Sequence, residues 1–304
     1  MSKTVEKEVQ KTKQEESPKF ALIGLGFISE SHIEAIEAVG GKIVLACDVD
    51  TNTFFKVPEC TMVFNFWTEM MTHPLFKEVD YVSICTPNYL HLPIINSARA
   101  LGKKVICEKP LVLNCTDVLT LDNDVNTVLQ LRYSPFLLQM SSMVKETNEV
   151  TMDICVHRGE WYFDSWKNDV DLSGGMCMNI GVHYFDLLTL LFGELNAQES
   201  DWLVPERKAV GVLTNDNTFI SWKLSLLEPK ATERRQININ GHTFLLNRGF
   251  GNLHTRVYED VLAGNGIKPK AVFDSIKLVN KVNKRLGEVP YEASRSVKED
   301  RRVL

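Results

Sequence analysis

The chain has 304 residues, enough for one or two domains, and its composition, 44% hydrophobic and 24% charged, is that of an ordinary water-exposed globular protein. A net charge of −5 and a pI near 5.9 argue against nucleic acid or an anionic membrane as the main partner, so an anionic ligand would need a local cationic cluster. Seven cysteines without a CxxC pair read as buried thiols of a reducing compartment; no apolar run approaches a membrane span, and residues 1–18 read as a charged tail, so the expected location is cytoplasmic.

In chain order, an apolar strand at residues 20–23 runs into Gly24-Leu25-Gly26-Phe27-Ile28-Ser29. Ser31 and Glu34 have the S-x-x-E spacing of a capping box and are expected to open a helix whose apolar residues include Ile33, Ile36 and Ala38. A second strand at residues 42–47 ends at Asp48. Strand, glycine turn, helix and a following acid form the dinucleotide-binding βαβ fingerprint, in which the glycines let the backbone approach a pyrophosphate and the helix N-terminus supplies donors. Asp48 is placed to accept from the ribose hydroxyls, and with no arginine after it to meet a 2′-phosphate, NAD is expected rather than NADP. Ser29 stands where the third glycine would be and could loosen the packing of helix on strand.

A weaker strand at residues 61–64, a short helix at 66–75, a strand at 81–85, a helix at 90–101 and a strand at 104–107 continue the alternation. Alternating strands and helices imply a parallel, right-handed layer. Its last strand runs into Glu108-Lys109-Pro110, which places a lysine at a strand end, where open α/β sheets bind their ligands, with proline biasing it towards an extended backbone.

Beyond Pro110 come a short helix near residues 116–121, strands at 126–131 and 149–156 with a helix between, a long helix from Gly175 to Phe192, five runs with strand character and two closing helices. The expected fold is α/β, an N-terminal Rossmann doubly wound parallel sheet with a C-terminal α+β domain on a largely antiparallel sheet, divided as 1–18, 19–122 and 123–304. On the long helix Asn179, His183 and Asp186 recur at i, i+4 and i+7 and are expected on one polar face. Before it, Arg158 to Lys167 mixes aromatics with two cations suited to stacking and anion binding; Trp161 and Phe163 fit a core edge or subunit interface equally well. Histidine and cysteine spacing suggests no metal site.

Four segments together resemble the Gfo/Idh/MocA oxidoreductases: Gly24-Leu25-Gly26, the run from Ile84 to His91, Cys107-Glu108-Lys109-Pro110, and His183-Tyr184-Phe185-Asp186. Finer features look like the UDP-N-acetyl-2-amino-2-deoxyglucuronate 3-dehydrogenases of surface-polysaccharide synthesis. These are Leu129-Gln130-Leu131-Arg132, Arg158 to Tyr162, Ser165-Trp166-Lys167, Asn179 to His183 and Leu253-His254-Thr255. The likeness spans nearly all of the chain after residue 18, departing at Ser29 and in a compressed stretch between Leu113 and Asn126. It implies NAD-dependent oxidation of a sugar C3 hydroxyl, with Lys109 and His183 sharing proton transfer and Asn179 positioning the sugar. Desolvation beside a cationic nicotinamide would bring the lysine pKa down. Arg158 and Lys167 would clamp anionic groups between Tyr162 and Trp166. Cofactor contacts are expected at Gly24, Gly26, Phe27, Ile28, Asp48, Thr86, Asn88, His91, Glu108, Lys109 and Gln130, with Glu108 near the nicotinamide ribose. Relatives of this kind form tetramers and either release NADH or reoxidise it in place with a 2-oxoacid such as 2-oxoglutarate. Another sugar or inositol as substrate, or a non-catalytic NAD sensor, are the alternatives.

Overall fold

The computed structural model describes residues 17–246 and 252–288, so nearly all of the expected charged tail, 1–18, lies outside the described residues. The first layer is built from β1 (Lys19–Ile23), α1 (Ser29–Ala38), β2 (Lys42–Cys47), β3 (Met62–Phe64), α2 (Trp67–Thr72), β4 (Tyr81–Ile84), α3 (His91–Ala100), β5 (Lys104–Cys107), α4 (Cys115–Val118) and β6 (Val125–Thr127). All five pairings in its sheet are parallel, in the order β3-β2-β1-β4-β5-β6. The chain leaves β1 in one direction and returns to its other side at β4. The carboxyl ends of these two strands therefore flank the switch point, where such sheets bind ligands.

Several boundaries differ from expectation for local reasons. Helix α1 starts at Ser29 with Ile28 at its N-cap and no side-chain cap, so Ser31 and Glu34 lie inside the helix and form no capping box. The helix winds earlier because the buried Ser29 hydroxyl donates to the Gly26 carbonyl at 2.7 Å; serine is accommodated here rather than merely tolerated. The strand expected at 126–131 stops at Thr127, since residues Gln130–Tyr133 coil into a 3₁₀ turn. As β6 pairs with β5, the cofactor layer extends past 122, and a boundary there would sever its last strand.

The second layer comprises α5 (Leu137–Ser142), β7 (Asn148–Cys155), α6 (Glu160–Phe163), α7 (Val170–Ser173), α8 (Val182–Phe192), β8 (Asn196–Val204), β9 (Lys208–Asn215), β10 (Thr218–Ser225), β11 (Arg234–Ile239), β12 (His242–Leu245), α9 (Leu253–Leu262) and α10 (Phe273–Arg285). Its sheet runs β12-β11-β7-β10-β9-β8 and is antiparallel except where β7 meets β10. Along β7 the alternation Val150, Met152, Ile154 faces the core and Glu149, Thr151 face away, the period-2 pattern of a sheet covered on one side. Phe185, Leu187 and Leu188 of α8 are fully buried in the same cluster, with Phe185 edge-on to Trp222 at 5.4 Å.

The core is continuous. Ile23 and Ile84 of the first sheet share one apolar cluster with Met152 and Phe185 of the second, which is why no Gly/Pro/Ser-rich linker separates the two. Helix α9 returns from the second layer to the first: its Val257, Tyr258 and Val261 pack with Phe20, Leu22 and Ile36. One helical run, Val170–Phe192, is in fact long and apolar enough to cross a membrane, contrary to the expectation from sequence. Since 72% of its most apolar stretch is buried inside the protein, it is a core helix.

Candidate active site

The carboxyl ends of β1, β2, β4 and β5 border a cleft of about 1100 Å³. At the end of β1, Gly24 has φ +91°, and a Cβ there would lie 2.7 Å from the Cys85 carbonyl, so the fold itself requires glycine. Gly26 is different: a Cβ there meets no protein atom and would project beside the cleft. Its bare backbone, two residues before the positive end of the ten-residue α1, suits close approach of a pyrophosphate. The Asp48 carboxylate accepts from the Leu25 amide at 2.5 Å and from the Asp50 amide at 2.8 Å, which holds it against the glycine turn. Thr86 Oγ1, on the cleft wall, is buried without a partner among the described residues. These features fit NAD. Gly26→Ala is therefore expected to fold as the parent does, with unchanged Tm, and to bind NAD about tenfold or more weakly in calorimetric titration; unchanged affinity would remove Gly26 from the cofactor site.

The end of β5 carries the charged groups. Burial alone would raise the pKa of Glu108, but hydrogen bonds from His254 and His32 outweigh it and hold the carboxyl well below the usual range. His32 Nε2 lies 3.0 Å from Glu108 Oε1, and His254 Nε2 3.4 Å from the same oxygen. His32 Nδ1 reaches the Tyr258 hydroxyl at 2.7 Å, which in turn meets Ser83 Oγ at 2.8 Å. Glu108 is thus fixed as an anion by side chains from α1 and α9. His32, Glu108 and His254 also gather three potential metal-ligand atoms within 4.8 Å, a grouping that sequence spacing did not suggest; their mutual hydrogen bonds account for it.

Lys109 follows, across a cis bond to Pro110, and its Nζ donates to the Asn179 carbonyl at 2.8 Å. Burial lowers its pKa and the charges of Arg158 and Lys167 lower it further, while Glu108 opposes them. The direction and its largest cause, desolvation, agree with the sequence reading, and the charges of Arg158 and Lys167 add to it.

The facing wall comes from the second layer. Before α8 the chain widens into a π turn at Cys177–Gly181, which offsets the register that a regular helix would keep between Asn179 and later residues. Asn179 and His183 both face the cleft, but Asp186 does not. It is buried and accepts from the Arg132 guanidinium through both oxygens, at 2.8 and 2.7 Å, so the expected three-residue polar face splits into two cleft-lining residues and one structural acid. Asn179 donates to the Tyr162 hydroxyl at 2.9 Å and accepts from Asn88 at 3.4 Å. Burial, chiefly, and the nearby Lys109 charge push His183 down to about 3, and its Nδ1 is shielded without a partner among the described residues.

Arg158, Trp166 and Lys167 line the cleft, with the Lys167 ammonium 4.7 Å from the Trp166 ring centroid. Tyr162 also lines the cleft, though only 1% exposed, and its hydroxyl accepts from Asn179. Trp161, which the sequence left between core and site, is 59% exposed at the cleft and 5.5 Å from Lys167, whereas Phe163 packs under Arg207 at 3.9 Å. Of the expected cofactor contacts, Gly24, Gly26, Phe27, Ile28, Asp48, Thr86, Asn88, Glu108, Lys109 and Gln130 line the cleft; His91 does not. Its ring is buried between the carbonyls of Pro110, at 2.7 Å, and Thr86, at 3.1 Å, so it braces the strand-end loops from beneath. Sequence reasoning missed His32, Tyr258 and Arg235. A histidine and a tyrosine among the apolar positions of α1 and α9 were the only available signals for the first two.

Residues 18–127 match the Gfo/Idh/MocA oxidoreductase family model for an NAD-binding Rossmann fold, and residues 143–225 match that family's C-terminal alpha/beta domain. Among solved structures, the WlbA (WbpB) dehydrogenase of Thermus thermophilus is 34% identical, covering 88% of this chain and 94% of that one. Its TM-score is 0.80 for the complex with NAD and alpha-ketoglutarate and 0.79 for that with NAD and UDP-GlcNAcA. By sequence, the chain is 23% identical over 190 residues to D-apiose dehydrogenase of Paraburkholderia graminis, covering 58% of this chain and 50% of that protein. It is 26% identical over 192 residues to inositol 2-dehydrogenase of Rhizobium meliloti, covering 58% and 55%. The chain spans about half the length of these curated relatives.

Proposed function

We propose that this chain, which belongs to the Gfo/Idh/MocA oxidoreductase family, is an NAD-dependent dehydrogenase that oxidises the C3 hydroxyl of a UDP-linked N-acetylglucosaminuronate to a ketone. The observation that carries this reading is the continuity of the cleft. It runs without a break from the glycine turn and Asp48, past Lys109 and His183, to the aromatic and cationic cluster of Trp161, Trp166 and Lys167. A site for a small neutral polyol needs the first two regions but not the third. Identity of 34% across 94% of a dehydrogenase solved with UDP-GlcNAcA supports the same choice. The similarity to D-apiose and inositol dehydrogenases supports a second reading, a small sugar or polyol as substrate. Following NADH absorbance with UDP-N-acetylglucosaminuronate against D-apiose and myo-inositol separates the two; turnover of the polyols alone would overturn the nucleotide-sugar reading.

NAD, when bound, accepts hydride from the carbon being oxidised. The protein's part is to hold the sugar and remove the hydroxyl proton. Lys109 is the proposed proton acceptor: its ammonium is desolvated, destabilised by Arg158 and Lys167, and donates to a single carbonyl among the described residues. His183, with a pKa of about 3, is neutral at working pH and serves as a hydrogen-bonding guide for the hydroxyl, with Asn179 beside it. Lys167 would neutralise the diphosphate and Arg158 an anionic group of the sugar, with Trp161 and Trp166 as stacking faces.

A base must be deprotonated to act, so kcat/KM should rise with pH and level off above an apparent pKa lower than lysine's ordinary 10.5. Protonation of His183 near pH 3 lies below that window, so a single ascending limb is expected between pH 5 and the plateau. A profile that falls across the same range would assign the catalytic proton to another group.

A further inference from the structure

A smaller lobe of about 290 Å³ opens from the point where Lys109, Asn179 and His183 meet the main cleft. None of its lining residues belongs to the nucleotide turn; its far wall includes Arg235, Tyr184 and His254. Arg235 stands at the start of β11, paired in register with Ile154 of β7, and this long-range pairing brings it to the same lobe as Arg158.

The charge in this lobe is unbalanced. No aspartate or glutamate lines it among the described residues. Among the described residues the carboxylate nearest Arg235 is Glu233, at 4.0 Å, and one of its oxygens already accepts from the His157 amide at 2.6 Å. The Arg158 side chain donates only to the His157 carbonyl, at 2.9 Å, among the described residues. Two half-buried guanidinium groups without close counterions are costly to hold together unless an anion joins them, and their planar forks match a carboxylate. The Tyr184 hydroxyl stays protonated, because burial pushes its pKa up to about 12, and so can serve as a donor. The volume suits a small acidic group rather than a second nucleotide.

We infer that this lobe recognises the carboxylate of the reacting molecule and that Arg235 sets the preference for acidic over neutral sugars. The inference rests on the reading that the reacting hydroxyl lies between Lys109 and His183. That carboxylate could belong to the sugar itself or to a 2-oxoacid that reoxidises NADH in the same place.

The test is calorimetric titration of the NAD-loaded protein, parent, Arg235→Gln and Arg235→Lys, with three probes: UDP-N-acetylglucosaminuronate, UDP-N-acetylglucosamine and 2-oxoglutarate. Arg235→Gln is expected to weaken the uronate by ~10²-fold and to leave the neutral sugar within about threefold, with Arg235→Lys between. A parallel loss with 2-oxoglutarate means that both sources use the lobe; an unchanged 2-oxoglutarate affinity assigns it to the sugar. Equal losses on both nucleotide sugars, or no loss on either, would overturn the role of Arg235. Discrimination by charge without NADH formation would sink the dehydrogenase reading while the lobe's assignment stands. If the parent binds neither nucleotide sugar, the assignment is decided by 2-oxoglutarate: binding lost in Arg235→Gln supports it, and binding absent or unaffected overturns it.

Discussion

Replacing Lys109 with alanine is expected to lower kcat by ~10² to 10⁴-fold while NAD affinity and Tm stay close to those of the parent. The lysine sits where the parallel sheet delivers its last long strand to the cleft, and its Nζ touches the π-turn carbonyl of Asn179. Removing it takes away the proton acceptor without opening the nucleotide turn, which is built from Gly24, Gly26 and Asp48 on other strands. Stability should not suffer, because the fold disfavours this ammonium: its pKa is lowered, so the folded state gives up free energy to keep it charged. Arginine should not rescue turnover, being unable to accept a proton at working pH. Turnover within tenfold of the parent would remove Lys109 from the chemistry and leave His183 to carry it.

Asp186→Ala should do the reverse. Asp186 is 1% exposed and binds Arg132 through both oxygens, while Arg132 also donates to the Ala271 carbonyl at 2.8 Å. The pair ties α8 to the 3₁₀ turn Gln130–Tyr133 and to the turn before α10. Deleting one member leaves a largely buried charge unpaired, which costs about 3–5 kcal/mol and, for a protein of this size, on the order of 10 °C in Tm. The folded fraction should keep kcat within about tenfold, as Asp186 does not reach the cleft. Lost turnover with an unchanged Tm would return Asp186 to the ligand-facing stripe that its i+7 spacing suggests.

The contrast between these two residues indicates what was legible in the chain. The cofactor layer could be read because its signals are local: apolar strands ending in glycine, an acid after β2, and Glu-Lys-Pro after β5 are each contained within a few residues. Ser29 and Ser31 show the limit of such reading. Both are helix-start residues, and it is Ser29, bonded through its amide and its hydroxyl to the Gly26 carbonyl, that begins α1. Asp186 was misplaced because helical spacing assumes a regular turn, and no residue type in Cys177–Gly181 announces a π turn. The contributions of Arg235 and Tyr258 depend on register between distant segments, Arg235 on the pairing of β11 with β7 and Tyr258 on α9 folding back to α1. Nothing near them in sequence carries that information. His91 belongs to the cofactor contacts that the family resemblance of the run from Ile84 to His91 implies, yet its ring turns inward to two carbonyls and braces the loops that the cofactor would touch.

The most direct measurement uses UDP-N-acetylglucosaminuronate carrying deuterium at C3, incubated with the protein and NAD, with the reduced cofactor analysed by mass spectrometry. Hydride transfer from the carbon held between Lys109 and His183 predicts deuterium in the nicotinamide ring of the NADH formed, with ~10² to 10⁴-fold slower formation of the same labelled NADH by Lys109→Ala. Reduced cofactor without deuterium, or label that remains entirely in the sugar, would contradict C3 oxidation at this site.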